Sequence, residues 1–219
     1  GSFTTHDVQR YMWDGRALAE GHDPYRTTPR DLTERGMLTG WEVAPEHAAY
    51  PTLYPPLALG TYALCTFLGP QLASLLWKLV VTLASILTLL LVWDVLRRRD
   101  QLQHLPLVAW SPLLLLESGV GAHVDACVAL MVGLALWCWE RRLWRGVGGA
   151  LALGTLFKLT PILLVPVAWL KLCGRSRWSL FWSFSGTVML GYGAAVALGL
   201  WPIGSLIVFV ETWRFGSLL

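Results

Sequence analysis

The sequence predicts an all-α protein: a polytopic bundle of transmembrane helices preceded by a partly helical polar loop. Of its 219 residues, 55% are hydrophobic and 14% are charged, and the mean hydropathy is +0.52, which differs from ordinary soluble domains. The 13 tryptophans fit the aromatic belts found where membranes meet water. Residues 1–54 hold eight acidic residues and five arginines, whereas the remainder is mostly apolar. We therefore divide the chain into a loop, residues 1–55, and a transmembrane region, residues 56–219.

The loop begins with a charged and aromatic segment that contains a predicted helix over residues 8–20. The apolar stripe of this helix consists of Val8, Tyr11, Met12, Leu18 and Ala19. Asp7 directly precedes the helix, where an aspartate is favoured as the N-cap. It also has the basic side chains of His6 and Arg10 as neighbours, which favours a functional carboxylate. The two roles are compatible.

Seven apolar segments follow the polar region. They lie at about 56–68, 71–96, 105–117, 124–139, 146–157, 160–170 and 180–200. Only 71–96 and 180–200 reach the roughly 20 residues that a helix needs to cross a bilayer. The shorter segments therefore predict half-embedded helices or helices that are continued by polar residues facing the protein interior, with breaks or kinks at prolines. Prolines that favour such breaks are Pro106, Pro112, Pro161 and Pro166.

Three basic clusters between these segments predict the orientation. They are Arg97–Arg99, then Arg141, Arg142 and Arg145, then Lys171, Arg175 and Arg177. Because short basic loops stay in the cytoplasm, residues 1–54 are expected on the extracytoplasmic side of the cell (inner) membrane, with 56–68 resting on the outer leaflet. Since the positive excess lies between the helices, it indicates membrane topology and argues against nucleic acid as a partner.

The predicted topology places most ionisable residues of the apolar region on the side of Asp7. They are Lys78, Glu117, His123, Asp125, Lys158 and Arg214. Charges at membrane depth are costly and usually functional. Lys78 and Lys158 can extend their ammonium groups to the surface, but two lysines on one side favour binding of an anionic headgroup. The exception is Asp94, which is expected to pair with the arginines that follow it.

Metal and disulfide chemistry are not supported by the sequence. His123 and Asp125 are two residues apart, so they do not share a helix face, and further ligands are not evident. Asp125 can complement a helix N-terminus, and a phosphate or sugar contact is the favoured functional role of the pair. The four cysteines lie in or beside apolar segments without a CxxC pair, which argues against a zinc site or a disulfide framework.

Several motifs in a fixed order resemble a known superfamily. They are HDVQRYMWDGRALAEGHDPYR, YPTLYPPLA, WK at the opening of a span, WSPLLLLESGVGAHVDA, LFKLTPILLVP and ETWRFGSLL. The chain resembles polyprenyl-phosphate-sugar-dependent glycosyltransferases of the GT-C superfamily, with glycosyltransferase family 87 and mannosyltransferase-like members as nearest kin. The resemblance implies many transmembrane helices and a catalytic carboxylate in the first extracytoplasmic loop, at the position of Asp7. It also matches Lys78, His123 and Asp125, whereas Asp23, Ala122 and Gly216 depart from the usual pattern.

The hypothesis that follows is an inverting transfer of one sugar, mannose being favoured, from a polyprenyl phosphate to a hydroxyl of a glycan or lipid acceptor. Asp7 is expected to accept the hydroxyl proton as charge develops in the transition state. Candidates for contacting the substrate or its phosphate are Arg10, Lys78, His123, Asp125, Lys158 and Arg214. With so many cations, neither a cofactor nor a divalent metal is expected.

Two other classes stay open at this stage. A transporter or lipid-binding membrane protein also uses interrupted helices with ionisable residues, although such sites usually lie near the bilayer midplane. A purely structural membrane subunit leaves the lysines in the apolar region unexplained. The sequence is also expected to be a fragment, without a first helix and without further helices at its C-terminus.

Overall fold

The computed structural model of the chain describes residues 7–41, 43–112, 116 and 121–203. All regular structure within these residues is helical, which agrees with the predicted all-α class. The α-helices are α1 (Asp7–Ala19), α2 (Pro29–Glu34), α3 (Pro56–Thr66), α4 (Pro70–Arg98), α5 (Leu105–Ala109), α6 (Asp125–Glu140), α7 (Trp144–Phe157), α8 (Leu164–Lys171) and α9 (Gly174–Ala197). Short 3₁₀ helices lie at Pro45–His47, Leu102–His104 and Thr160–Leu163.

The two long segments predicted from hydropathy are helices α4 and α9. Within the described residues, these two helices have the length and composition needed to cross a membrane. Helix α9 begins six residues before the predicted segment, because its first turns include polar residues such as Arg175. Eight large apolar side chains of α4 are exposed. Exposed leucines on α4 include Leu75, Leu79, Leu83 and Leu90. An apolar face of this size is unfavourable in water and fits a lipid or protein environment.

Prolines interrupt the segments 105–117 and 160–170, as the sequence predicts, whereas 56–68, 124–139 and 146–157 each contain one continuous helix. Helix α5 ends at Ala109, three residues before Pro112, since a proline excludes helical conformation from the residue before it. Residues 113–115 and 117–120 lie outside the described part, so the length predicted for 105–117 is not tested. The predicted segment 160–170 begins as a 3₁₀ helix with Pro161 in its first turn and continues as the eight-residue α8.

Helices α4, α6, α7 and α9 pack in sequence order and alternate in direction. At one end, the guanidinium of Arg141 lies 2.6 Å from the carboxylate of Asp94, and Ser183 donates a hydrogen bond to the carbonyl of Arg145. Asp94 also pairs with the two arginines that follow it on α4, as predicted. The basic clusters therefore meet at one end of the bundle, which we call the basic end.

The opposite end, which we call the Asp7 end, carries the loop region. Helix α1 packs on α3 and α4, and the loop that follows it reaches the C-terminal end of α9. There the backbone N–H of Trp201 donates to Asp23 Oδ2 at 3.0 Å, while Oδ1 accepts from the N–H of Tyr25. Both oxygens of Asp23 therefore accept hydrogen bonds, which a carboxylate can do and an amide group cannot. The departure of this residue from the expected pattern thus has a structural use.

Candidate functional site

Asp7 is the first residue of α1, and its carboxylate lies between two imidazole rings. His47 Nε2 is 3.4 Å from one carboxylate oxygen, and His123 Nδ1 is 3.2 Å from the other. The three side chains come from separate parts of the chain: the start of α1, the end of a 3₁₀ helix and the turn before α6. We call them the Asp7 cluster. With 24% of its side chain exposed, Asp7 is held by protein yet remains open to a substrate.

Arg10 fixes the loop that carries His47. Its Nε donates to Asp14 Oδ1 at 2.9 Å, and its Nη1 donates to the carbonyl groups of His47 and Tyr50. The guanidinium is almost fully buried, and so is Asp14. Burial raises the pKa of Asp14, although the guanidinium of Arg10 acts in the opposite direction. Arg10 therefore holds the loop of His47 in place, and a phosphate contact by Arg10 stays a prediction.

The turn that carries His123 is held by a buried tryptophan. Trp77 on α4 is fully buried, and its Nε1 donates to the carbonyl of Ala122 at 2.7 Å. Ala122 has φ +48°, a left-handed conformation that is uncommon for a residue with a side chain. This bend directs His123 towards Asp7. The alanine that departs from the family pattern is therefore the residue at which the backbone turns.

An aromatic cluster supports the first turns of α1. Tyr11 stacks on Tyr62 with ring centroids 4.7 Å apart, and Trp77 meets Tyr62 edge-on at 4.9 Å. The hydroxyls of Tyr54 and Tyr11 lie 3.3 Å apart. Burial raises the pKa of both of these phenols, and the carboxylates of Asp7 and Asp125 act in the same direction. Both tyrosines therefore stay protonated near neutral pH, and their hydroxyls remain hydrogen-bond donors.

A second polar pair lies at the same end of the bundle. Lys158 Nζ lies 2.7 Å and 2.9 Å from the two carboxylate oxygens of Asp125. Lys158 directly follows the last residue of α7, and Asp125 is the first residue of α6. The two side chains are 41% and 44% exposed, so the ammonium group is accessible to an anion while its carboxylate partner holds it in place.

The structure brings some of the predicted residues together and leaves others apart. Asp7 and His123 are in contact, and so are Asp125 and Lys158. Lys78 lies on the exposed face of α4, and within the described part of the chain its ammonium group makes no hydrogen bond or ion pair. The remaining predicted positions, His6, Glu117, Arg214 and Gly216, lie outside the described residues.

His47 is a site residue that the sequence reading missed. It lies 40 residues after Asp7, in a proline-rich stretch without helical or strand periodicity, so spacing does not connect the two. One usable signal is its chemistry, since His47 is one of only three histidines in residues 1–54. A histidine in the same polar region as a candidate carboxylate is a reason to test it.

The described residues contain no group of three or more His, Cys, Asp or Glu side chains placed to hold a metal ion. The expectation that no divalent metal is needed stays a prediction. The cysteines Cys65, Cys127, Cys138 and Cys173 are free.

Taken together, the fold and the site define a helical protein with long apolar helices and a carboxylate-centred polar site at one end. The family model described as alpha-(1->6)-mannopyranosyltransferase, N-terminal domain, matches residues 3–174. Because this match spans well over half of the chain, the chain belongs to the MptA_B family of mannosyltransferases. Membership supports a glycosyltransferase enzyme and, in general terms, a mannosyltransferase activity with a sugar donor and an acceptor. No curated protein and no solved structure matches the chain.

This family agrees with the mannosyltransferase-like part of the expected resemblance, while kinship with glycosyltransferase family 87 stays untested. It favours an enzyme over the transporter or structural subunit that the sequence left open. The matched region includes all three residues of the Asp7 cluster and both residues of the Lys158–Asp125 pair.

Proposed function

We propose that this chain transfers mannose from a polyprenyl-phosphate donor to a hydroxyl of a glycan or lipid acceptor, with inversion at the anomeric carbon. The observation that carries the proposal is the position of the Asp7 carboxylate, which is held between the imidazoles of His47 and His123 at the Asp7 end of the bundle. A proton acceptor fixed in this way is the group that such a transfer needs.

In the proposed reaction, the acceptor oxygen attacks the anomeric carbon while its proton moves to Asp7. The bond between that carbon and the phosphate oxygen breaks, and the polyprenyl phosphate leaves with the bonding electron pair. A single displacement of this kind inverts the anomeric carbon. General-base catalysis by a positioned side chain contributes about 10²–10⁴-fold. His47 and His123 act as positioning residues, since an imidazole N–H facing each oxygen fixes the orientation of the carboxylate.

The leaving phosphate requires a cation, and Lys158 is the residue that we assign to it. Its ammonium group is half-exposed and is placed by Asp125 at the Asp7 end. The negative charge on the phosphate grows as the bond to the sugar breaks, so a fixed positive charge stabilises the transition state more than the ground state. Lys78 lies on the outer face of α4. We assign to it a contact with the polyprenyl phosphate while this donor approaches the site.

The same proposal places the protein in the inner membrane as a multi-pass protein, with Asp7 on the extracytoplasmic side. Two long apolar helices support an association with the membrane. The meeting of the basic clusters at the end opposite Asp7 supports the orientation, because basic segments between spans stay in the cytoplasm.

The test is sugar transfer from polyprenyl-phosphate-mannose by the purified full-length protein, compared with its Asp7→Asn variant. We expect the variant to lose at least about 10²-fold in kcat, since asparagine keeps the shape of the side chain but cannot accept the proton. Glu34→Gln serves as the matched control, because Glu34 is exposed in the same polar region, and it should keep full activity. Full activity of Asp7→Asn would exclude Asp7 as the base.

The two histidines are tested separately. His47→Gln and His123→Gln should each lower kcat while leaving KM and the thermal midpoint close to their wild-type values. This pattern separates positioning of Asp7 from substrate binding and from folding. An increase in KM at unchanged kcat would instead place the histidine in contact with the substrate.

A further inference from the structure

A second candidate site lies at the basic end of the bundle, opposite the Asp7 end. It is an open groove between the N-terminal parts of α7 and α9. Its lining includes Trp144, Arg145, Arg175, Trp178, Ser179 and Trp182. The hydrogen bond from Ser183 to the carbonyl of Arg145, at 2.7 Å, ties the two helices together at its base.

The groove concentrates positive charge that no carboxylate neutralises. Arg141 at the same end pairs with Asp94, and Arg99 pairs with Glu140. In contrast, Arg145 and Arg175 line the groove, both are exposed, and within the described residues neither forms an ion pair. The lining contains no acidic residue. An anion is therefore the ligand that the charges of this groove favour.

The walls of the groove show which kind of anion fits. Trp178 and Trp182 are 52% and 66% exposed, and their rings stack with centroids 6.5 Å apart. Exposed tryptophans at the end of an apolar helix are typical of the boundary between headgroups and acyl chains. A soluble anion would use the arginines but gain little from the indole rings, whereas a phospholipid uses both.

We infer that this groove binds the phosphate headgroup of an anionic phospholipid from the leaflet opposite the Asp7 site. The guanidinium groups of Arg145 and Arg175 would face the phosphate, the serine hydroxyl of Ser179 would donate to it, and the indole rings would lie along the glycerol and upper acyl chain. Basic pockets between membrane helices on the cytoplasmic side are suited to such headgroups. The inference rests on the membrane placement in the proposed function but not on the transfer reaction.

The test is lipid binding by the full-length protein in detergent micelles, measured by native mass spectrometry with phosphatidylglycerol and phosphatidylcholine in equal amounts. We expect a preference for phosphatidylglycerol. The double variant Arg145→Gln with Arg175→Gln should lower that affinity about 30-fold, the change expected from two basic residues at an anionic membrane surface. Each single variant should lower it about fivefold, which provides a graded result if the double variant is poorly folded.

Arg142→Gln is the matched control, because Arg142 is exposed at the same end but does not line the groove. An equal loss in this control, or equal binding of the two lipids, would overturn the inference. Displacement of the lipid by millimolar inorganic phosphate would identify a soluble anion as the occupant and would also overturn it. Asp7→Asn should keep the lipid preference, so failure of the transfer hypothesis and failure of this inference give different results.

Discussion

Replacing Gly15 by alanine tests whether the close contact between α1 and α3 determines the position of Asp7. A Cβ atom at Gly15 would lie 2.6 Å from both Ala63 N and Tyr62 O, closer than real Cβ contacts. These are main-chain atoms of α3, so they cannot rotate away as a flexible side chain can. One helix must therefore shift relative to the other, and the start of α1 carries Asp7.

The expected energy follows from two opposing effects. Overpacking of a well-packed contact costs about 1–3 kcal/mol, and a backbone contact lies at the upper end of that range. Alanine in a helix interior gains about 1 kcal/mol over glycine, so the net destabilisation at Gly15 is about 2 kcal/mol. Gly60 in α3 is the matched control, because nothing lies within 4 Å of a Cβ atom there. Gly60→Ala keeps only the helix gain and should stabilise the protein by about 1 kcal/mol.

Two quantities are measured in detergent micelles. One is the thermal midpoint, recorded by circular dichroism, and the other is the transfer rate. For a chain of this size, each kcal/mol corresponds to about 2–4 °C, so Gly15→Ala should unfold about 4–8 °C lower and Gly60→Ala about 2–4 °C higher. The transfer rate of Gly15→Ala should fall by up to about 10²-fold at a temperature where it is fully folded, because Asp7, the proposed base, is displaced. A Gly15→Ala variant as stable and as active as Gly60→Ala would refute the reasoning.

Three further predictions concern the leaving group, the buried ion pair and the turn before α6. Lys158→Met should lower kcat/KM by about 10²-fold or more, and Lys158→Arg should recover part of it, as measured with saturating acceptor. The pKa of Asp14 is raised on folding, so the folded state binds more protons than the unfolded state between the two pKa values. Stability should therefore decrease as the pH rises through that window. Asp14→Asn should lower the unfolding midpoint and make it less dependent on pH. Trp77→Phe leaves the buried carbonyl of Ala122 without its donor, which should cost about 1–3 kcal/mol in unfolding experiments; an unchanged midpoint would show that this bond does not hold the turn.

Much of the helical architecture follows from local patterns in the sequence. Continuous apolar runs predict α4 and α9, and prolines predict the breaks near α5 and α8. The alternation of basic loops also predicts that His123, Asp125 and Lys158 share an end with Asp7, and the structure places all four there. These features depend on length, hydropathy and charge, which are properties of single segments.

The roles of individual polar residues were less predictable. Arg10 has the charge of a phosphate ligand, but its guanidinium is used by Asp14 and two carbonyl groups inside the loop. Lys78 is one residue from the buried Trp77, yet a helix turns about 100° per residue, so the lysine faces outwards while the tryptophan faces the core. Sequence spacing could not distinguish these outcomes, because each depends on what another segment presents to the side chain.

The sequence by itself determined that the chain is helical, where its long apolar helices lie, and that Asp7 is the carboxylate to examine. Only the tertiary structure decided what surrounds that carboxylate. His47 reaches it because Arg10 donates a hydrogen bond to the carbonyl of His47, nearly 40 residues away in sequence. His123 reaches it because Trp77 donates a hydrogen bond to the carbonyl of Ala122, where the backbone makes a left-handed bend. Hydropathy acts along one segment and can be read from it, whereas an imidazole within 3.4 Å of a carboxylate results from several buried hydrogen bonds between distant segments.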